Sequence, residues 1–234
     1  MNISALQDTK QILGIMLFGS TARRDTDAYS DKDIFVLFDD IPLDELLQIK
    51  HRIVLPYCEN ETFPSCYKNK DALLMAEHGS LFLWHLKLEG RIVFSKRNAL
   101  QIIFASLKPY INYRKDLECY QELLQDVEKS IERWNTPNAM DIALLFTIAR
   151  NVCILLCHKN GTPKFGRSNA YLKAKSIFGD RFPLPEALYQ KLCSCKLWYE
   201  RGICIETNIL SDLNLPIILS DLRELIRFAG EYCL

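Results

Sequence analysis

The chain has 234 residues, 49% of them apolar and 25% charged, a composition that suits a folded domain or two with a sizeable core and excludes general disorder. Lysine plus arginine equals aspartate plus glutamate at 29 each, so no overall field draws the protein to nucleic acid or to an anionic membrane, and any such binding must come from a local patch. The opening run MNISALQDTKQ lacks the basic-then-apolar order of a secretory signal and no stretch reaches ~20 uninterrupted apolar residues, so a cytoplasmic location without a membrane span is the expectation.

Up to residue 96 short β-type runs alternate with helical ones. Gly14–Phe18 and Ile34–Phe38 read as apolar strands, and Thr62–Tyr67 as a third. Between the first two lies FGSTARRDTDAYSDKDIFV, residues 18–36. One strand runs into Gly19-Ser20, a spacer rich in arginine and aspartate follows, and Asp31-Lys32-Asp33 leads into the next strand. Residues i and i+2 of an extended chain share a face, so Asp31 and Asp33 present two carboxylates side by side. Their mutual repulsion is relieved by a divalent cation, and hard oxygens suit Mg²⁺, which completes its shell with water and substrate phosphate. From the other side, glycine lets a backbone approach an anion, while a serine hydroxyl and turn amides hold phosphate oxygens. Arg23 or Arg24 can add charge-assisted bonds. Each piece alone would pass for an ordinary turn; in this order they predict a site for a metal-bound polyphosphate.

The block HGSLFLWHLKLEGRIVF, residues 78–94, predicts an apolar helix stopped at Gly90 and then a short strand. His85 within it reads as a hydrogen-bonded packing residue rather than a proton-transfer group. Beyond residue 97 nearly everything is helical. Leu117, Tyr120, Leu124, Val127, Ile131 and Trp134 step by three and four along one amphipathic stripe. Ala139–Cys157 is apolar almost all round, as the central helix of a bundle would be, with Pro137 suited to its first turn and Gly161 to its exit. Further helices are expected over Asn169–Phe178, Pro185–Lys196 and Leu219–Phe228. Nine cysteines form no CxxC pair; Cys153 and Cys157 read as reduced core thiols. Arg150, alone in the apolar helix, either pairs with Asp141 or another buried acid or meets phosphate. KNGTPKFGRSNAYLKAK gathers Lys159, Lys164, Arg167, Lys173 and Lys175, most simply a solvated basic face. The class is α+β, with an αβ domain over residues 1–96 and a helical bundle over 97–234.

The stretch GSTARRDTDAYSDKDIFV resembles the signature of the nucleotidyltransferase superfamily that shares the DNA polymerase β catalytic fold, in its small two-domain bacterial form. Gly19, Ser20, Ala22, Arg23, Ser30, Asp31 and Asp33 fill the family's places, and Arg24 stands where many members carry glycine. The resemblance implies a small mixed sheet in the N-terminal domain and transfer of a nucleoside monophosphate, AMP in first place, from Mg-NTP to a hydroxyl acceptor, with pyrophosphate leaving. Two Mg²⁺ ions would act together, with Asp31 and Asp33 as shared ligands. The family's third carboxylate falls in CENETFPSCY. There Glu61 is assigned as catalytic residue and metal ligand, ahead of Glu59. The alternative is that the position is that of Phe63, which leaves no third carboxylate. Pro64 confines this strand to an edge or an irregular path.

The glycine-flanked loop of the helical half resembles the family's triphosphate-side element, which adds Lys164 and Arg167 to Gly19, Ser20 and Arg23 as nucleotide contacts. The acceptor expected from the resemblance is a small molecule such as an antibiotic. Two alternatives stand beside it: a protein or RNA partner, as in toxin–antitoxin members, with neutral charge counting against RNA, or an inactive member that only binds nucleotide or a partner.

Overall fold

A computed structural model describes residues 4–24, 32–57, 62–201 and 213–234. They fall into two units, Met1–Ile111 and Asn112–Leu234. In the first, α1 (Ser4–Gln7) precedes β1 (Ile12–Phe18), which passes directly into α2 (Gly19–Arg23). After β2 (Lys32–Phe38), α3 (Leu43–Ile49) continues through a π turn into α4 (Leu55–Tyr57). Then come β3 (Thr62–Lys68), α5 (Asn69–Glu77), α6 (Leu81–Glu89), β4 (Arg91–Ser95) and α7 (Ala99–Ser106).

The strands form one mixed sheet in the order β3-β2-β1-β4. β1 is antiparallel to β2 and β4, and β3 runs parallel to β2. Both sheet faces are covered, which is why β1 and β2 are continuous apolar runs rather than alternating ones. Met16, Phe18, Phe35 and Leu37 pack with residues of α5, α6 and α7. Ile15, Leu17, Ile34, Val36 and Phe38 pack on the other face with Leu6, Leu46 and Ile49. Pro64 sits on β3, an edge strand, the kind of strand that tolerates a residue without an N–H.

α7 begins after residue 96, the expected boundary, yet packs on this sheet. A Cβ on Gly14 of β1 would lie 2.6 Å from Leu100 Cγ of α7, so the strand approaches the helix only because residue 14 has no side chain.

The second unit holds α8 (Tyr113–Trp134), α9 (Ala139–Lys159), α10 (Asn169–Phe178), α11 (Glu186–Arg201) and α12 (Leu215–Cys233). α9 is the centre, packed against the four others and buried on all sides through Ile142, Leu145, Ile148, Val152, Leu155 and Leu156. By length and composition it could cross a membrane, but 72% of its apolar window is buried within the protein.

Two expectations need correction here. α9 starts with a capping box: Asn138 Oδ1 accepts from Asp141 N at 2.9 Å and Asp141 Oδ2 accepts from Asn138 N at 3.0 Å. Pro137 therefore lies before the cap rather than in the first turn. Trp134, expected on the buried stripe of α8, is 67% exposed, because the helix ends there at Asn135 (φ 53°) while α9 begins only at Ala139. Leu117, Leu124 and Val127 are buried as the stripe predicts. The whole is an α+β fold with a small mixed sheet and a set of C-terminal helices.

Candidate active site

Phe18, the last residue of β1, pairs with Asp33 near the start of β2. The chain then turns sharply at Gly19, whose φ is +64°, and a Cβ placed there would lie 2.0 Å from Asp33 Oδ2. Glycine is required twice over, for the left-handed backbone and for the space the carboxylate occupies. Ser20 follows, partly exposed, and Arg24 ends the short helix in the left-handed region at φ 62°. A hard carboxylate oxygen is a fitting ligand for Mg²⁺, and the side-chain-free backbone beside it leaves no Cβ in the way of a phosphate that such an ion would carry. Asp31 and Glu61, the other two expected ligands, lie outside the described residues, as does Glu59. Among the described residues no three His, Cys, Asp or Glu side chains come together as a metal cluster.

The parallel ladder fixes which residue stands beside Asp33 on β3. Lys32 aligns with Thr62, Asp33 with Phe63 and Ile34 with Pro64. The register position next to the carboxylate thus carries phenylalanine.

Arg23 has a partner that sequence reasoning missed. Its Nη1 donates to Glu89 Oε2 at 2.8 Å, with the two side chains 17% and 8% exposed. His85 Nε2 comes within 3.4 Å of the same oxygen from one turn earlier on α6. The His85 ring is also edge-on to Phe18, centroids 5.6 Å apart. The i, i+4 spacing of His85 and Glu89 was a readable signal for that half of the cluster; nothing local pointed to Arg23. His85 is thus a packing residue with a carboxylate neighbour.

Lys164 and Arg167 stand in the second unit, in the loop that leads into α10, Lys164 exposed and Arg167 partly so. The loop's backbone is pinned from within: Arg150 Nη2 donates to the Phe165 carbonyl at 2.6 Å and the Tyr189 hydroxyl donates to the Arg167 carbonyl. Burial pushes the Tyr189 hydroxyl's pKa far above its ordinary value, which keeps it a donor. The Phe165 carbonyl is thus a partner of Arg150 beyond those expected, Asp141 or another buried acid, or phosphate. Asp141 is occupied by its cap and by Ser130 Oγ, 3.2 Å away. Of the other basic residues there, Lys175 pairs with Glu186 at 2.7 Å and Lys159 donates to the Cys233 carbonyl. Cys153 and Cys157 are fully buried free thiols. Burial raises the Cys157 pKa to about 12, so neither serves as a nucleophile.

Residues 2–99 match a family profile described as "Polymerase beta, Nucleotidyltransferase". None of the curated proteins matches the chain. Among solved structures, a spectinomycin adenyltransferase from Enterococcus faecialis with ATP and spectinomycin is similar at a TM-score of 0.54 and 12% identity, over 96% of this chain and 95% of that one. At that identity the likeness is one of fold. A nucleotidyltransferase-like protein from Exiguobacterium sibiricum 255-15 gives a TM-score of 0.40 at 14% identity, over 99% of this chain and 75% of that one. A toxin-antitoxin structure with AMP-PNP gives 0.31 at 16%, over 56% and 93%. These last two are too distant to carry weight. The profile match, on the segment whose Gly-Ser turn lies against Asp33, makes residues 2–99 of this chain a nucleotidyltransferase domain of the polymerase β family.

Proposed function

We propose that the protein is an adenylyltransferase that moves AMP from ATP to the hydroxyl of a small acceptor, an antibiotic-like compound, in the cytoplasm. The observation that carries this is the Gly19 backbone laid against Asp33 Oδ2, a carboxylate and a left-handed glycine turn held together by paired strand ends. The fold shared with an adenyltransferase solved with ATP and spectinomycin supports the choice of nucleotide and acceptor class. In the reaction the acceptor oxygen bonds to the α-phosphorus, the bond to the α–β bridging oxygen breaks, pyrophosphate leaves with that electron pair, and the hydroxyl proton passes to a carboxylate base. Asp31 and Asp33, with Glu61 as third carboxylate, are the residues that would hold Mg²⁺, which when bound offsets the charge of the phosphates. Gly19, Ser20 and Arg23 bind the triphosphate, with Lys164 and Arg167 as further contacts. In this reading the first unit is the catalytic domain and the helices form the second.

The test is pyrophosphate release with each NTP, with and without Mg²⁺, across small hydroxyl compounds, RNA and protein acceptors. Release is expected to need metal, to favour ATP, and to fall at least ~10²-fold in Asp33→Asn, the scale of losing one preorganised charge-stabilising group. Unchanged turnover in Glu61→Gln would remove Glu61 from the site. One observation favours a second reading, a member that binds nucleotide without turning it over: Phe63 occupies the register position beside Asp33. Mg-ATP binding with no pyrophosphate released to any acceptor would establish that reading instead. A folded protein that binds no Mg-NTP would sink both.

A further inference from the structure

We propose that Glu89 is the positioning residue of Arg23, holding its guanidinium ready for the triphosphate, and that His85 braces Glu89 from behind; this rests on the nucleotide-binding reading above. Asp33 alternates with Phe35 and Leu37 on the sheet face that packs on α6. Arg23 reaches Glu89 of that same helix, so the arginine lies on the side of the sheet that carries Asp33. An arginine there, left to itself, would lose several rotatable bonds' freedom whenever a ligand bound. Glu89 removes that freedom beforehand. Its carboxylate is nearly buried at the end of α6, and a single oxygen takes Arg23 Nη1 at 2.8 Å. A guanidinium has five donors in a rigid fork, so one edge can hold a carboxylate while another faces phosphate.

His85 stands behind the acid. Its Nε2 lies 3.4 Å from the same Glu89 oxygen and its ring sits against Phe18, the residue before Gly19. Phe18 also meets Phe82 of α6 edge-on, centroids 5.6 Å apart. α6 thereby touches the turn at three places: through Phe82 and His85 on the strand end, and through Glu89 on the last residue of α2. The arrangement sets both the direction of the turn and the reach of its cation.

The test measures Mg-ATP affinity by calorimetry and thermal unfolding for wild type, Arg23→Ala, Glu89→Gln, their double variant, and the reversed pair R23E/E89R. Glu89→Gln is expected to stay folded and to weaken Mg-ATP binding about tenfold, the cost of ordering a loosened arginine on binding. Arg23→Ala should weaken binding at least as much, and the double variant no further, because the acid acts through the arginine. The reversed pair should regain thermal stability without regaining affinity, since it restores the tie but puts a carboxylate where the phosphate needs a cation. Glu89→Asp, shorter by one methylene, should fall between wild type and Glu89→Gln, and serves as the readout should Glu89→Gln not fold. Wild-type affinity in folded Glu89→Gln, additive losses in the double variant, or recovered affinity in the reversed pair would each show a structural strut only. Absence of Mg-ATP binding by the wild type would overturn the nucleotide reading as well, which separates the two failures.

Discussion

Gly19 holds the most constrained position of the site. Its φ of +64° alone makes any L side chain unfavourable, and a Cβ would enter the Asp33 carboxylate at 2.0 Å. Gly19→Ala therefore combines a left-handed alanine, about 1–2 kcal/mol, with forced movement of the Asp33 carboxylate. The expected result is a modest loss of stability in chemical denaturation together with a large loss of Mg-ATP binding. A variant that lost stability but bound Mg-ATP normally would show that the contact with Asp33 serves only the turn. The Gly-Ser turn lying beside Asp33 was legible in the sequence because the two are near neighbours along it, and their order restricts what the chain can do there. Glu89 was not, since 66 positions separate it from Arg23 and only the packing of α6 beside α2 joins them. The Arg150 bond to the Phe165 carbonyl was not legible for a related reason: a backbone carbonyl carries no residue-type signal.

At the scale of elements, strong periodicity was readable and ends were not. Asn169–Phe178 is found with the limits expected, whereas the last helix begins at Leu215 and ends at Cys233, well beyond Leu219–Phe228. The reason is that helix length is set by packing partners as much as by propensity. The contact between the start of α8 and the end of α9 offers a measurable consequence. Near the end of α9, His158 is half-buried, and its Nδ1 lies 2.7 Å from the Tyr113 hydroxyl at the start of α8. Burial lowers the His158 pKa below its ordinary 6.5 and raises that of Tyr113, so the phenol donates and the imidazole stays neutral. The unfolded chain takes up this proton more readily than the folded one. The stabilising contribution is accordingly complete above pH ~6.5 and is lost as pH falls from there towards the lowered folded value. Urea unfolding of the wild type should show midpoints falling through that window, with a shallower slope in His158→Gln. Equal slopes in the two proteins would remove His158 from the pH dependence.

For the whole molecule, composition pointed to a folded chain with no charge bias, the order of β-type and helical runs to an α+β class, and the motif to the family that residues 2–99 match. That α7 completes the first unit was not foretold, because it depends on a close fit between Leu100 of α7 and the side-chain-free Gly14, 86 positions earlier. The two units each have their own buried centre, so a ligand's effect can be followed in each. If ATP is the substrate, binding stabilises the protein by mass action, about 2.7 kcal/mol at a hundredfold excess over Kd. Amide exchange shows where that stabilisation falls. Mg-ATP should slow exchange in residues 12–24 and 32–38, which carry the turn and Asp33, and this protection should vanish in Asp33→Asn. Slowed exchange in residues 160–170 as well is expected if Lys164 and Arg167 contact the nucleotide, and Lys164→Ala with Arg167→Ala should abolish that second zone while leaving the first. Protection confined to the first zone would strike both cations from the site. Protection confined to the second would move nucleotide binding away from Gly19 and Asp33, and with it the assignment of the catalytic unit.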